Sequence, residues 1–177
     1  ERRIATVVVT DLTGSTALLE KVGTETWVAL MNRVLHILEN EITRFGGLVE
    51  QFRGDGLVAF FGATVAHEDD PERAVLAALA MQDALGVFAP DVSQQYAITL
   101  KLRVGVNTGE VIVAAPGERR PHSELAMGIA ISVADRMEGA AVPGTVLVSD
   151  DTYRLVETKF EWQSLGEINV QGIAHPI

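Results

Sequence analysis

The stretch VVVTDLTGST, residues 7–16, is the most informative for the fold, and it contains the first candidate for chemistry. It continues a run of mostly β-branched residues that begins at Ile4, and such a run is typical of a strand buried in the centre of a sheet. Asp11 follows this strand, and the residues after it turn the chain into a helix. The free N–H groups at a helix N-terminus favour phosphate, so the stretch places a carboxylate beside a possible phosphate site.

The next segments predict a helix and a hairpin. Apolar residues from Trp27 to Phe45 recur at three-four spacing, which predicts a helix that begins at Thr24 as its N-cap and stops at Gly46-Gly47. Two short strands, 48–52 and 57–61, then flank the turn Arg53-Gly54-Asp55-Gly56. We expect the Asp-Gly pair in this turn to supply the positive φ angles of a tight hairpin.

The rest of the chain predicts further helices and strands. A second helix opens at Asp70-Pro71 and closes at Ala89-Pro90, and a third spans about 128–139. Alternating residues 98–106 predict a half-buried strand, which Asn107-Thr108-Gly109 turns into another strand at 110–114. Short strands are expected near 145–149 and 160–170. This order predicts an α+β fold, an α/β sandwich with helices packed on a mainly antiparallel sheet.

Composition narrows the classes of function. The 177 residues include 14 Lys and Arg against 24 Asp and Glu, so the net charge of −10 argues against nucleic-acid binding. We expect no direct membrane contact, because no apolar run approaches the length of a membrane span. The lack of cysteine fits a cytoplasmic domain. We expect one domain over residues 1–177, cut from a longer chain because it begins at Glu1 without an initiator Met.

Two aspartates are the candidates for a metal site. Asp11 ends a strand and Asp55 lies in a hairpin turn, so neighbouring strands could place the two carboxylates side by side. Adjacent carboxylates repel each other unless they share a proton or hold cations, and Mg²⁺ suits such oxygens. Taken singly, however, Asp11 also fits a helix cap and Asp55 an ordinary turn residue.

Five segments together resemble the catalytic domain of class III nucleotide cyclases, the adenylate and guanylate cyclases. They are VVVTDLTGST, GGLVEQFRGDGLVAFFG, HEDDPERAVLAALAMQDAL, LRVGVNTGEVIV and ISVADRME, and they follow one another in the family's order and spacing. The resemblance implies a ferredoxin-like βαββαβ core and a head-to-tail homodimer with active sites between the subunits. It also implies that a nucleoside triphosphate, with ATP as the default, is converted to a 3′,5′-cyclic nucleotide and pyrophosphate in intracellular signalling.

The resemblance implies a role for each matching residue. Asp11 and Asp55 match the two aspartates that hold two Mg²⁺ or Mn²⁺ ions. Arg136, from the partner subunit, matches the arginine that stabilises charge at the α-phosphate, and Ser132 stands where an asparagine orients the ribose. The phosphate-binding residues are expected at the start of the first helix, namely Thr13, Gly14, Ser15 and Thr16.

The positions that read the base depart from the family pattern. Gln51 replaces the lysine of adenylate cyclases and the glutamate of guanylate cyclases. Leu125 matches the second base-recognition position, with Glu124 as the alternative if the register shifts by one residue. A lysine that contacts the terminal phosphates is replaced by Gln171 or a close neighbour. Two alternatives therefore accompany an ATP cyclase: a cyclase for GTP or a pyrimidine nucleotide, and a degenerate domain that binds nucleotide or serves dimerisation and regulation.

Overall fold

A computed structural model describes residues 1–114 and 126–168 of the chain. These residues form six strands and five helices. In chain order they are β1 (Arg2–Thr13), α1 (Ser15–Val22), α2 (Thr24–Arg44), β2 (Leu48–Arg53), β3 (Gly56–Phe61), α3 (Asp70–Tyr96), β4 (Lys101–Val113), β5 (Ala126–Met127), α4 (Ile129–Ala140), β6 (Val146–Val148) and α5 (Asp150–Val156). These elements confirm the predicted α+β class.

One sheet organises the fold, and β1 lies at its centre. The strand order is β2-β3-β1-β4-β5, with β6 paired to β4. The pairings along the main path are antiparallel, and β6 runs parallel to β4. Val8 faces the layer formed by α2 and α3, whereas Val7 and Val9 face the layer that contains α4. Because both faces of β1 are buried, its sequence is a continuous apolar run.

The polar residues within β4 do not form the predicted turn. Instead of two strands joined at 107–109, β4 runs unbroken for 13 residues along β1. Thr108 shares a hydrogen bond with Thr6 at 2.9 Å, and the Asn107 amide donates to the carbonyl of Ala130 at 3.0 Å. Because these polar side chains have hydrogen-bond partners inside the protein, they are accommodated within a strand and do not form a turn.

The second long helix also differs from its prediction. Pro90 does not close it, and α3 continues to Tyr96. Phe88 and Val92 are buried on either side of the proline, so core packing holds the helix across it.

By length and hydropathy α3 could also span a membrane. One of its faces, however, is buried in the core.

Three smaller expectations were wrong. Gly23 rather than Thr24 is the N-cap of α2, and Gly54 rather than the Asp-Gly pair has the positive φ angle in the hairpin turn. Residues 160–168 form no strand, while 169–170 lie outside the described residues. The short helix α5 was not predicted, because its seven residues give too little periodicity.

Candidate active site

Strand pairing brings Asp11 to the hairpin that carries Asp55. Thr10 pairs with Leu57 of β3, and on the other side Asp11 pairs with Arg103 of β4. A Cβ atom on Gly56 would lie 1.9 Å from the carbonyl oxygen of Thr10, so only glycine permits this approach. The hairpin turn therefore lies directly beside the end of β1, as the sequence predicts.

Asp11 forms a two-point ion pair with Arg103. The Nε and Nη2 atoms of Arg103 donate to Oδ1 and Oδ2 of Asp11 at 3.0 and 2.7 Å. Arg103 Nε also lies 3.2 Å from Oε1 of Glu138, a buried residue of α4. The negative charge of Asp55 contributes to raising the pKa of Arg103, after the larger effect of the hydrogen bond with Asp11. The guanidinium of Arg103 thus interacts with three acidic side chains, those of Asp11, Glu138 and Asp55.

The start of α1 is attached to the hairpin through Ser15 and Asp55. The Ser15 hydroxyl donates to Oδ2 of Asp55, and the indole N–H of Trp27 donates to the Ser15 carbonyl at 2.9 Å. Gly14 has a φ of 91°, and a Cβ there would lie 2.5 Å from the carbonyl oxygen of Thr99. The structure therefore joins the predicted phosphate-binding turn to one of the predicted metal ligands.

The remaining residues of the turn, Thr13 and Thr16, offer backbone N–H groups, and their side chains are not hydrogen-bonded to Asp11 or Asp55 in the described part of the chain. Thr13 donates from its hydroxyl to the carbonyl of Lys101 at 3.3 Å, and Thr16 is exposed in the first turn of α1. The first N–H groups of a helix have no partner within the helix, so α1 presents donors at this end. An anion placed there would gain these hydrogen bonds and the favourable end of the helix dipole.

The two carboxyl groups nearest Arg103 have pKa values that move apart. Burial acts to raise the pKa of Asp11, but hydrogen bonds from Arg103 and Glu138, together with the charge of Arg103, lower it. Burial, followed by the hydrogen bond and charge of Asp11, raises the pKa of Glu138 to about 8. Asp11 is therefore the ionised member of the pair at neutral pH, and Glu138 retains a proton.

This arrangement predicts that the metal-free protein loses stability as pH rises from about 4.5 to about 8. Across that range the folded state keeps a proton on Glu138 that the unfolded chain has released, so the free energy of unfolding falls. The groups that face Glu138 are Asp11, Arg103 and Asp135. The contribution of Asp11 has the opposite sign, but it is lost only below its ordinary value of 3.8.

Urea unfolding in EDTA at several pH values measures this slope. Glu138→Gln keeps the shape of the side chain but cannot ionise, so the slope between pH 5 and 8 should flatten. Asp151→Asn, an exposed carboxyl of α5, is the matched control and should keep the wild-type slope. An equally steep decline in Glu138→Gln would show that another group causes it.

Ser132 and Arg136 lie one turn apart on the exposed face of α4. Among the hydrogen bonds and ion pairs of the described residues, none joins either side chain to Asp11 or Asp55. Asp135, between them, does reach the hairpin, because its Oδ1 accepts from Nη1 of Arg53 at 2.6 Å. Within one copy of the chain, α4 is thus connected to the hairpin of the carboxylate site, but its two predicted functional side chains are not part of that site.

The base-recognition residues are only partly visible. Gln51 is exposed on the edge strand β2, next to a bulge, and its Oε1 atom accepts from Nε of Arg53 at 3.4 Å. Leu125 and Gln171 lie outside the described residues. The structure therefore brings together Asp11, Asp55 and the 13–16 turn, and it leaves Gln51 on a neighbouring exposed edge.

The donor set fits a hard divalent cation. Asp11 and Asp55 offer carboxylate oxygens at the adjoining ends of β1 and the hairpin, which are the ligands Mg²⁺ prefers. Across residues 1–114 and 126–168 no cluster of three or more His, Cys, Asp or Glu side chains could hold a metal. A pair of carboxylates completed by substrate phosphates is a common arrangement for Mg²⁺. Both oxygens of Asp11 already bind a cationic group, the guanidinium of Arg103.

Arg103 and Glu138 are the site residues that sequence reasoning missed. In the sequence Arg103 is only one of the alternating residues 98–106, and Glu138 is only the last residue of the motif ISVADRME. The alternation of β4 placed Arg103 on a face of the sheet, but only the pairing with β1 reveals that Asp11 is its neighbour. For Glu138, an acidic residue at a buried position of a helix was the available signal.

Comparison with known proteins identifies the family to which the chain belongs. The family model of the adenylate and guanylate cyclase catalytic domain matches residues 2–176. A putative adenylate cyclase 3 of Rhizobium meliloti is 32% identical over 99% of this chain, which corresponds to 27% of that protein. The chain spans about a third or less of the curated relatives it matches.

Two solved structures have the same fold. The adenylyl cyclase CyaB from P. aeruginosa superposes with a TM-score of 0.93 at 28% identity, covering 99% of this chain and 91% of that one. The guanylyl cyclase Cya2 superposes with a TM-score of 0.91, also at 28% identity, covering 99% and 89%. Together with the match of the family model over nearly all residues, these likenesses establish that the chain belongs to the adenylate and guanylate cyclase catalytic domain family.

Proposed function

We propose that this domain converts a nucleoside triphosphate, with ATP as the first candidate, into a 3′,5′-cyclic nucleotide and pyrophosphate for intracellular signalling. The observation that carries the proposal is the bond between Ser15 and Asp55. It attaches a helix N-terminus suited to phosphate to a pair of carboxylates suited to Mg²⁺ or Mn²⁺. A nucleoside triphosphate with its metal ions is a ligand that needs both features at once.

In the proposed reaction the ribose 3′-hydroxyl attacks the α-phosphorus, and pyrophosphate leaves. Asp11 and Asp55 would hold two divalent ions, which supply Lewis-acid activation of the hydroxyl and charge neutralisation of the triphosphate. The N–H groups at the start of α1 would bind phosphate oxygens. The hydrogen bond from Ser15 would hold the Asp55 carboxylate beside the start of this helix. Arg136 would stabilise the charge that develops at the α-phosphate, and Ser132 would orient the ribose or a phosphate.

We also propose that the complete site forms between two copies of the chain. The exposure of Ser132 and Arg136 supports this, because neither contacts Asp11 or Asp55 in the described part of one subunit. A head-to-tail pair of subunits with twofold symmetry would bring α4 of each copy to the carboxylates of the other. One dimer would then contain two equivalent sites.

The choice of base remains part of the proposal. CyaB and Cya2 are equally similar to this chain, at 28% identity, although one is named an adenylyl and the other a guanylyl cyclase. Gln51 carries an amide, which both donates and accepts hydrogen bonds, so it could pair with the edge of several bases. We favour ATP because related bacterial proteins carry adenylate cyclase names.

A catalytically silent binding domain is the second candidate. The full engagement of Asp11 by Arg103 favours it, because a carboxylate neutralised by arginine has less charge to offer a metal ion. The two candidates differ in product formation. A silent domain would bind nucleotide or form dimers without releasing pyrophosphate.

A cyclisation assay separates these possibilities. Concentrated protein with Mn²⁺ is offered ATP, GTP, CTP and UTP separately, and the products are resolved by chromatography. We expect a cyclic product from at least ATP, absent when Asp11→Ala replaces the wild type. Absence of product from all four nucleotides, with the dimer verified by sedimentation, would favour the silent binding domain.

A further inference from the structure

Arg103 lies between carboxylates from two different elements of the fold. Its Nε atom is 3.0 Å from Oδ1 of Asp11 on β1 and 3.2 Å from Oε1 of Glu138 on α4. Its Nη2 atom is 2.7 Å from the second oxygen of Asp11. The side chain of Arg103 is 27% exposed and that of Glu138 is 9% exposed, so water competes little for these contacts.

Glu138 has a buried oxygen that lacks a donor. In the described part of the chain, Oε1 of Glu138 accepts no hydrogen bond, although Arg103 is close. The Nε–H bond of Arg103 is directed to Asp11 instead. An unsatisfied buried acceptor destabilises the folded state, so such an atom needs an explanation.

Binding of a divalent cation at Asp11 would change the hydrogen bonds that Arg103 makes. A cation needs lone pairs on Asp11 that both N–H groups of Arg103 now use, and it would repel the guanidinium at short range. The released N–H group would then be half-buried and without an acceptor. Oε1 of Glu138 is the acceptor already within reach.

Building on the proposed cyclase function, we propose that Arg103 exchanges partners when a divalent cation binds, releasing at least one oxygen of Asp11 and donating instead to Oε1 of Glu138. In this role Glu138 is a positioning residue for the metal site, although it does not touch the metal. The backbone of Glu138 packs closely against β4, because a Cβ on Gly105 would lie 2.2 Å from its nitrogen. We therefore expect the side chain of Arg103 to move rather than α4.

Two variants of Glu138 distinguish an oxygen acceptor from an ionisable carboxyl group. Glu138→Met has similar volume but no acceptor, whereas Glu138→Gln keeps an oxygen acceptor and cannot ionise. Mn²⁺ affinity is measured by water-proton relaxation, with Asp11→Ala defining binding at this site. We expect Glu138→Met to bind Mn²⁺ about tenfold more weakly, as for other residues that orient a metal ligand. Glu138→Gln should stay close to the wild type. Equal weakening in both variants would indicate that the carboxyl group itself is needed, rather than an oxygen acceptor, and would overturn the exchange.

A double-mutant cycle with Arg103→Met tests the partner directly. Removing the guanidinium should raise Mn²⁺ affinity, since its competitor for Asp11 is gone, and lowered affinity would contradict the proposal. In that background Glu138→Met should have no further effect on Mn²⁺ affinity, because no guanidinium remains to donate to position 138. A full effect of Glu138→Met without Arg103 would overturn the exchange, and circular dichroism verifies that each variant folds.

Failure of the exchange can be told apart from failure of the cyclase function. If the wild type binds no Mn²⁺, or binds it equally after Asp11→Ala, the metal site itself is wrong and both proposals fall. If the wild type binds Mn²⁺ through Asp11 but Glu138→Met binds it equally well, only the exchange is overturned.

Discussion

Replacing Asp55 should almost eliminate cyclic nucleotide formation. Loss of a metal-holding carboxylate removes several kcal/mol of charge stabilisation from the transition state. Because about 1.4 kcal/mol corresponds to a tenfold change in rate, we expect Asp55→Ala to be roughly a thousandfold slower than the wild type. The measurement is the initial rate of cyclic product with saturating nucleotide and Mn²⁺.

Asp55→Asn separates a metal-binding role from a structural one. Asparagine keeps an oxygen that can accept from the Ser15 hydroxyl, so the attachment of the helix start to the hairpin would survive. It lacks the charge that a divalent ion requires. We expect Asp55→Asn to be as inactive as Asp55→Ala, while Asp151→Asn on α5 keeps the wild-type rate. A nearly normal rate for Asp55→Asn would mean that Asp55 acts only by holding Ser15.

Replacing Arg136 should have the second-largest effect. Loss of one donor that stabilises charge in a transition state typically costs about 10²–10³ in kcat. We expect Arg136→Ala to lose about this much in kcat and little in KM for the nucleotide, because the charge it faces develops mainly during the reaction. The rate against nucleotide concentration measures both values.

Arg154 provides the matched control for Arg136. It is an exposed arginine on α5, and its side chain pairs with Asp150, one turn away, at 2.6 Å. Arg154→Ala removes the same charge and a similar exposed surface from a region that carries no proposed site residue. It should leave kcat unchanged. A comparable loss in both variants would indicate a general effect of net charge rather than a role in the reaction.

The fold was largely predictable from local patterns. The continuous β-branched run before Asp11 correctly predicted a central strand, because burial on both faces leaves a simple signature. The hairpin around Asp55 and the helix that carries Arg136 were placed almost to the residue. Errors arose where tertiary contacts overrode local signals, as at Asn107 in the middle of β4 and at Pro90 within α3.

The site was less predictable than the fold. Motif matching pointed to Asp11, Asp55 and the turn between β1 and α1, and strand pairing brought them together. Motif matching did not reveal that Arg103 binds Asp11 or that Glu138 lies beside Arg103. These contacts join residues far apart in the chain. Pairing across a sheet and packing of a helix on it are properties of the three-dimensional structure.

Mixing two inactive variants tests whether a two-metal cyclase has its sites shared between subunits. Asp55→Ala lacks a metal-holding carboxylate, and Arg136→Ala lacks the residue proposed to come from the partner. After mixing and exchange of subunits, about half of the dimers would be mixed, and each would contain one intact site of two. We therefore predict recovery to about a quarter of the wild-type rate.

A mixture of Asp11→Ala with Asp55→Ala is the control, because both residues lie in the same half of the site. Every site in this mixture lacks one carboxylate, so it should stay inactive. Recovery in the first mixture and none in the control is the predicted result. Inactivity of the first mixture, with exchange of subunits verified by differently tagged copies, would contradict the shared site.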